Sequence, residues 1–186
     1  DHDFAVKKAK LDRMKPGKGL PDRLFPGDPA AQARLQAHTK AVTDAVREFV
    51  RLTYPFYRLT GYEKHTLRVT ETFPEGMHLD CYGDLPIGPD DVLLRVFVNF
   101  DKVPRIWRAT CRADELFVLA ALDPWRSVSL SPDALNDAIN RALPLSGLPA
   151  DTVFFAPGSL WVCDGQLVSH EVVYGRKSWG FSFGVD

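Results

Sequence analysis

The chain has 186 residues, of which 45% are hydrophobic and 25% charged, with a formal net charge of -1 and a pI near 6.6. This length and composition predict one globular domain with a single core. The balanced charge gives no overall basic field, so we expect no nucleic-acid partner. The longest apolar run, Leu116 to Leu122, is much shorter than the roughly 18 residues that span a bilayer. We therefore predict a soluble protein with no transmembrane segment.

The cysteines indicate the compartment. Cys81, Cys111 and Cys163 are widely spaced and form no C-x-x-C pair, which favours a reducing environment and hence the cytoplasm. We interpret Cys81 as a small buried hydrophobic residue. A group of basic residues near the start is interpreted as a solvated face, with a peripheral contact to the inner membrane or to another anionic partner as the alternative. These residues are Lys7, Lys8, Lys10, Arg13, Lys15 and Lys18.

The first third of the chain changes from an irregular segment to a helix. Residues 1–27 are rich in proline and glycine and predict an irregular N-terminal arm. Asp28 and Pro29 then form a cap followed by a proline, which is typical of a helix start. Helical spacing of apolar residues predicts one flanking helix over 28–54, packed on the outside of a sheet. His38 on this helix is expected to be a surface residue.

The remaining residues, 60–186, predict a β core. Short β-branched and alternating segments are separated by glycine and proline turns, with a helical insert at about 114–143 that is capped in part by Ser131. This pattern predicts a mainly β fold with flanking helices, a double-stranded β-helix or jelly roll, as one domain over 1–186. The predicted strands are 65–73, 77–82, 92–100, 104–111, 152–155, 159–163, 167–174 and 178–183.

A candidate metal site lies in the tripeptide His78-Leu79-Asp80. On an extended segment residues i and i+2 point to the same face, so the imidazole and the carboxylate lie side by side. A second histidine would complete the two-histidine, one-carboxylate arrangement that is typical of non-haem Fe(II) oxygenases. His170 is the candidate, on a strand after the hairpin signal Asp164-Gly165. An H-x-D tripeptide is common by chance, and a lone strand histidine is more often a core residue, so the surroundings decide.

Three arginines in apolar strands supply such surroundings. Alternation in Val92 to Phe100 places Arg95 among apolar side chains, and Arg68 and Arg105 lie in similar segments, with Trp107 on the face of Arg105. Burying an unpaired guanidinium costs about 3–5 kcal/mol, so each arginine should reach solvent or meet an anion. A dianionic co-substrate such as 2-oxoglutarate would satisfy one or two of them. For each arginine, an ion pair with a protein carboxylate is the alternative.

Other catalytic motifs are absent from the sequence. It has no G-x-S-x-G nucleophile motif, no glycine-rich phosphate loop and no Cys/His spacing typical of structural zinc. Hydrolase and kinase functions are therefore not indicated.

The order of these segments resembles the Fe(II)/2-oxoglutarate dioxygenases of the Kdo 3-hydroxylase type, which act on 3-deoxy-D-manno-oct-2-ulosonic acid in bacterial lipopolysaccharide. The resemblance covers about residues 60 to 111 and 152 to 175, and the preceding helix matches as well. The motifs that carry it are L-R-V (67–69), H-L-D (78–80), L-L-R-V-F-V-N (93–99), P-R-I-W-R (104–108), P-G-S-L-W-V (157–162) and V-S-H (168–170).

The resemblance implies a site and a reaction. His78, Asp80 and His170 would bind Fe(II), and O2 would be consumed as 2-oxoglutarate is decarboxylated to succinate and the substrate is hydroxylated. The implied substrate is a small or lipid-linked sugar acid. The implied co-substrate residues are Arg68, Arg95, Arg105 and Trp107; Asn99, on the strand face of Arg95, joins this candidate set, and Arg176 is held in reserve.

The sequence departs from the family around the substrate. Cys81 to Asp84 follow the H-x-D motif where the family tends to have Ala-Phe-Pro, and residues after His170 also differ. One alternative is therefore a hydroxylase of a free amino acid or another small metabolite. A second is a jelly-roll binding module without a catalytic metal, and a third is a cupin-like metal enzyme that does not use 2-oxoglutarate.

Overall fold

The computed structural model describes residues 6–10, 20–69, 76–80, 92–112, 149–165 and 167–186, with a few single positions between 115 and 141. Strands are the commonest secondary structure in this part of the chain. In chain order the elements are β1 (Val6–Lys10), α1 (Leu20–Leu24), α2 (Pro29–Thr53), β2 (Leu59–Val69), β3 (Val92–Asn99), β4 (Arg105–Arg112), β5 (Asp151–Phe155), β6 (Leu160–Cys163), β7 (Val168–Tyr174) and β8 (Lys177–Val185).

The strands form two antiparallel sheets. The five-stranded sheet has the order β1-β2-β8-β3-β6, and the three-stranded sheet has the order β5-β4-β7. Side chains of both sheets meet in an aromatic cluster of Phe97 and Trp161 from the larger sheet and Trp107 from the smaller one. This arrangement is a jelly roll, so the predicted fold class is confirmed.

Helix α2 begins and ends as the sequence predicts. The Asp28 side chain accepts a hydrogen bond from the backbone N–H of Ala31 at 2.8 Å, and Pro29 occupies the first turn. The helix ends at Thr53, before a proline that would be disfavoured within it. His38 is exposed, as predicted.

The helix covers the outer face of the larger sheet. Val46 and Val50 of α2 pack against apolar side chains of three strands, which confirms the predicted position of its apolar stripe. The strand residues in this core are Leu67, Leu94, Val96, Trp179, Phe181, Phe183 and Val185. Because successive strand residues face opposite sides, the residues between them point to the space between the two sheets.

The N-terminal arm is more regular than the sequence predicts. Val6–Lys10 pairs with β2, and residues 20–24 are helical, with Leu24 packed against the core under α2. The prediction of an irregular segment over 1–27 is therefore wrong for these residues. The sequence VKKAK of β1 has few residues that favour strands, so it gives only a weak strand signal. Its strand conformation depends on backbone pairing with the edge of β2.

Two further expectations about β structure need correction. The turn at Asp164 and Gly165 is not a hairpin, because β6 belongs to the larger sheet and β7 to the smaller one. Residues 76–80 do not form a regular strand either, since His78 makes an isolated bridge to His170. In both places the chain passes between sheets, and local turn signals do not distinguish such a crossing from a hairpin.

Parts of the helical insert are described. Glu115, Val118, Ala134 and the neighbouring single positions Asp137, Ala138 and Arg141 are helical, and the hydroxyl of Ser131 accepts from the Ala134 N–H at 3.2 Å, as its cap motif predicts. Cys81 and the predicted strand ends beyond Val69 lie outside the described residues, and the division of the chain into a single domain stays a prediction. No helix in the described ranges is long and apolar enough to cross a membrane.

We expect the core under α2 to carry much of the stability. Phe181 is 0% exposed and Phe154 is 66% exposed. Phe181→Ala should lower the free energy of unfolding by about 3–5 kcal/mol, because it leaves a cavity in a packed core. Phe154→Ala, the matched control on the outer surface, should change it by less than about 0.5 kcal/mol. Urea unfolding measures both, and equal losses would contradict this account of the core.

Candidate metal centre

Three potential ligands converge between the sheets. His78, Asp80 and His170 each offer one ligand atom, and these atoms lie within 4.8 Å of one another. Nε2 of His78 is 3.9 Å from Asp80 Oδ1, and Nε2 of His170 is 3.7 Å from Asp80 Oδ2. Asp80 and His170 are each only 4% exposed. The sequence therefore identified three residues that the fold brings to one point.

Backbone hydrogen bonds hold the segment that carries two of these ligands. The N–H of His78 donates to the carbonyl of His170 at 3.0 Å, and the N–H of His170 donates back at 2.9 Å. The N–H of Asp80 donates to the carbonyl of Gly165 at 2.7 Å. The segment is thus fixed at one end to β7 and at the other to the turn before it.

The proton positions on both histidines suit a metal. Nδ1 of His78 lies 2.9 Å from the Gly76 carbonyl, and Nδ1 of His170 lies 3.0 Å from the Val168 carbonyl. Since a carbonyl only accepts hydrogen bonds, each Nδ1 carries a proton, and in a neutral imidazole with this tautomer Nε2 keeps its lone pair. Two nitrogen lone pairs and a carboxylate then face one small volume. This donor set fits a divalent transition metal, and backbone carbonyls commonly orient metal-binding histidines in this way.

Arg95 lies beside the carboxylate ligand. Its Nη1 donates to Asp80 Oδ2, and its guanidinium carbon lies 4.8 Å above the ring of Phe97. The sequence had indicated a co-substrate anion or a protein carboxylate as its partner. In the structure the partner is the predicted metal ligand itself, so Arg95 acts directly on the charge of the centre.

Arg105 and Trp107 form the opposite wall on β4. Arg105 is 2% exposed, and its Nη1 donates to the carbonyl of Gly175 at 2.9 Å. The Trp107 ring stacks on His170, with 4.7 Å between centroids and 14° between planes. Arg68 lines the same cavity from β2. The structure therefore places all three predicted arginines and Trp107 around the candidate metal centre.

Two other predicted co-substrate residues do not line this cavity. Asn99 is fully buried, and its Nδ2 lies 3.0–3.2 Å from the carbonyl oxygens of Val103, Phe155 and Ala156. Its side chain therefore joins two loops. Arg176 is exposed on the turn between β7 and β8, where its backbone N–H donates to Asp101. Strand alternation gave the face of Asn99 correctly but could not show that the cavity ends before it.

Sequence reasoning missed two rows of cavity residues. Tyr62, Lys64 and Thr66 precede Arg68 on β2, and Ser178, Gly180 and Ser182 alternate along β8. Tyr62 and Lys64 were missed because the predicted strand began at residue 65, whereas β2 begins at Leu59; Thr66 lies within the predicted strand, on the face of Arg68. The second row was visible as small residues alternating with Trp179, Phe181 and Phe183, a period-2 signal.

The solved structures similar to this chain share its fold. The Kdo hydroxylase KdoO, a non-haem Fe(II) α-ketoglutarate-dependent dioxygenase, matches in its complex with succinate and Fe(III) at a TM-score of 0.65 and 18% identity. Its complex with α-ketoglutarate and Fe(III) matches at 0.64, also with 18% identity. Each match covers 86% of this chain and 65% of the KdoO chain. No protein-family model and no curated protein sequence matches the chain. The likeness establishes a shared jelly-roll fold.

We expect Asn99 to stabilise the loops next to the centre. Asn99→Ala should lower the free energy of unfolding by about 1–3 kcal/mol, because several carbonyl groups lose their donor. Gln32→Ala is the matched control, since Gln32 donates to a carbonyl of Phe25 from an exposed position. It should cost less than about 0.5 kcal/mol. Unchanged unfolding of Asn99→Ala in urea would contradict a structural role.

Cys163 provides a pH-dependent probe of the region. The thiol packs against the aromatic cluster of Phe97, Trp107 and Trp161, and burial raises its pKa from 9.0 to about 11 despite the nearby Arg95. A raised pKa keeps the thiol protonated, so at pH 8 it holds about 100-fold less thiolate than an ordinary cysteine. Iodoacetamide should modify Cys163 slowly until the pH approaches 11, as measured by mass spectrometry of its peptide. A rate at pH 8 equal to that in urea would refute this shift.

Proposed function

We propose that this chain is an Fe(II)/2-oxoglutarate-dependent dioxygenase that hydroxylates a small polar substrate. The convergence of His78, Asp80 and His170 carries this proposal. Two neutral imidazoles and one carboxylate leave room for further ligands on an octahedral metal, which is the arrangement of non-haem Fe(II) oxygenases. The jelly-roll fold, shared with a dioxygenase of this class, supports the same conclusion.

The charge of the cavity supports a dianionic co-substrate. Among the described lining residues, Lys64, Arg68, Arg95 and Arg105 are cationic, and Asp80 is a carboxylate. A dianion such as 2-oxoglutarate fits a wall of this charge, and a guanidinium can bind a carboxylate through two hydrogen bonds.

A buried indole adds a hydrogen-bond donor. Trp107 is 4% exposed and lines the cavity, and its Nε1 has no hydrogen-bond partner among the described residues. A buried N–H of this kind carries a desolvation penalty unless a ligand or water accepts from it. A carboxylate bound in the cavity is an acceptor of the required type.

Each residue then has a specific role. His78, Asp80 and His170 bind the metal, with both imidazoles oriented by backbone carbonyls. Arg105 and Arg68 are the proposed groups for the co-substrate carboxylates, and the guanidinium of Arg95 offsets the negative charge of Asp80. Trp107 and Phe97 exclude water from the centre and give the charged groups a low-dielectric surrounding.

The chemistry that Fe(II) supplies in such a site is activation of O2, with one oxygen atom entering the substrate and the other entering succinate as 2-oxoglutarate loses CO2. The protein contributes the geometry and the dry cavity. It also contributes the cations that would bind the carboxylates of 2-oxoglutarate before CO2 is lost.

The leading substrate class is a sugar acid of the Kdo type, as a free or lipid-linked molecule. The sequence motifs around the centre and the structural likeness to a Kdo hydroxylase support this class. The polar rows on β2 and β8, with hydroxyl groups on Tyr62, Thr66, Ser178 and Ser182, also suit a sugar. A free amino acid or another small metabolite is the alternative substrate that the test must separate.

The test is succinate formation from 2-oxoglutarate under air with added Fe(II). Wild-type protein should form succinate, and a panel of sugar acids and amino acids should identify the compound that stimulates turnover. His78→Ala and Asp80→Ala should lower turnover at least about 100-fold, because each removes one of three protein ligands. His38→Ala is the matched control, since this exposed histidine on α2 should leave turnover unchanged.

Anaerobic titration with Fe(II) and 2-oxoglutarate separates the remaining outcomes. Binding of both without succinate formation by any panel compound would reject the substrates in the panel and leave the dioxygenase class. Binding of Fe(II) without 2-oxoglutarate would favour a cupin-like metal enzyme. Failure of both to bind would refute the proposal and favour a binding module.

A further inference from the structure

Gly165 lies in unusually close contact with the carboxylate ligand. A Cβ atom at this position would lie 2.8 Å from Cγ and 3.1 Å from Cβ of Asp80, and it would overlap Oδ2. Real Cβ contacts are almost never shorter than 3.0 Å. The carbonyl of Gly165 also accepts the hydrogen bond from the Asp80 N–H at 2.7 Å. The Gly165 carbonyl therefore binds the Asp80 backbone, and the Asp80 side chain occupies the space that a side chain at position 165 would need.

Backbone conformation does not explain this glycine. Gly27, Gly61 and Gly158 have positive φ angles of 75°, 94° and 78°, and a Cβ on any of them would meet nothing within 4 Å. Gly165 shows the reverse, since its φ lies outside the left-handed region and the space around it is filled. Its φ therefore does not by itself require a glycine. The three atoms nearest to such a Cβ all belong to the Asp80 side chain.

A rotation of the carboxylate cannot relieve this contact. Turning the carboxylate about the Cβ–Cγ bond moves both oxygen atoms but leaves Cγ in place, 2.8 Å from the added atom. Moving Cγ requires rotation about χ1 or a shift of the Asp80 backbone, and either change moves the carboxylate relative to Nε2 of His78 and His170. A side chain at position 165 thus displaces a metal ligand.

We propose that Gly165 is a positioning residue that sets the rotamer of Asp80 for metal binding. This inference rests on the metal centre of the proposed function. The backbone at Gly165 packs directly against the Asp80 carboxylate, and the Gly165 carbonyl holds the Asp80 backbone by a hydrogen bond. Because the chain crosses from one sheet to the other at this turn, Gly165 lies beside the candidate metal centre and not at the end of a hairpin.

Metal affinity tests the proposal without turnover. Calorimetric titration of the apoprotein with Co(II) alone should give an affinity for Gly165→Ala that is about 10- to 100-fold weaker than wild type, as for other changes beside metal ligands. Gly158→Ala is the control for a strained turn. It should unfold at a lower urea concentration because of its positive φ, yet it should bind Co(II) as wild type does. Wild-type affinity in Gly165→Ala would overturn the proposal.

Urea unfolding of the apoprotein tests the contact itself. Gly165→Ala should lower the urea midpoint in the wild-type background, and the same change should have a much smaller effect in Asp80→Ala, where Cγ and both oxygens are gone. If Gly165→Ala does not fold alone but folds in the Asp80→Ala background, the contact is equally supported. An equal loss in both backgrounds, or no folding in either, would overturn it.

The two measurements separate this proposal from the function it depends on. Absence of Co(II) binding by the wild-type protein would refute the metal centre, and with it the role of Gly165 in metal binding. The urea comparison contains no metal, so it still shows whether a side chain at position 165 and the Asp80 side chain compete for the same space. Wild-type binding together with an unchanged affinity in Gly165→Ala refutes only the positioning role.

Discussion

The pair of backbone hydrogen bonds between His78 and His170 is the contact on which the centre depends. Residues 76–80 have no strand of their own, so this pair and the bond from Asp80 to Gly165 hold the segment between the sheets. Backbone bonds fix Cα positions more firmly than side-chain contacts do, because they do not depend on a rotamer. The ligands are therefore positioned by main-chain geometry, and their side chains need only one rotamer each.

The two faces of the larger sheet carry different residues: one packs into the core under α2, and the other lines the cavity. On β3, Leu94 and Val96 belong to the core under α2, whereas Arg95 and Phe97 face the other sheet. The same division holds on β8, where Phe181 alternates with small residues. A slip of one residue in the register would exchange the two faces, so the core under α2 also holds the arginine in the cavity. The cost of a buried guanidinium is offset there by the carboxylate of Asp80, a candidate metal ligand.

The sequence predicted those features that a short stretch of chain determines. The cap at Asp28, the two faces of β3 and the H-x-D motif are all local, and His170 was added from the family resemblance and from a hairpin signal that the structure does not bear out. Features that depend on a distant partner were not predictable in this way. The crossing at Gly165, the pairing of Arg95 with Asp80 and the three carbonyls around Asn99 each join residues from separate segments. Alternation gives a face, but only the packed sheets show how far along that face a cavity extends.

The same arrangement makes metal binding and substrate choice separable. The ligands and their supports lie on β7, on residues 76–80 and on the turn at Gly165, all joined by main-chain hydrogen bonds. The residues that could meet a substrate lie on β2 and β8, whose side chains can change without altering the ladder between the strands. A fold of this kind can retain one reaction while its substrate changes. Under the proposed function, a change at Tyr62 or Lys64 on β2 alters the cavity wall and leaves in place the main-chain hydrogen bonds of the three candidate ligands.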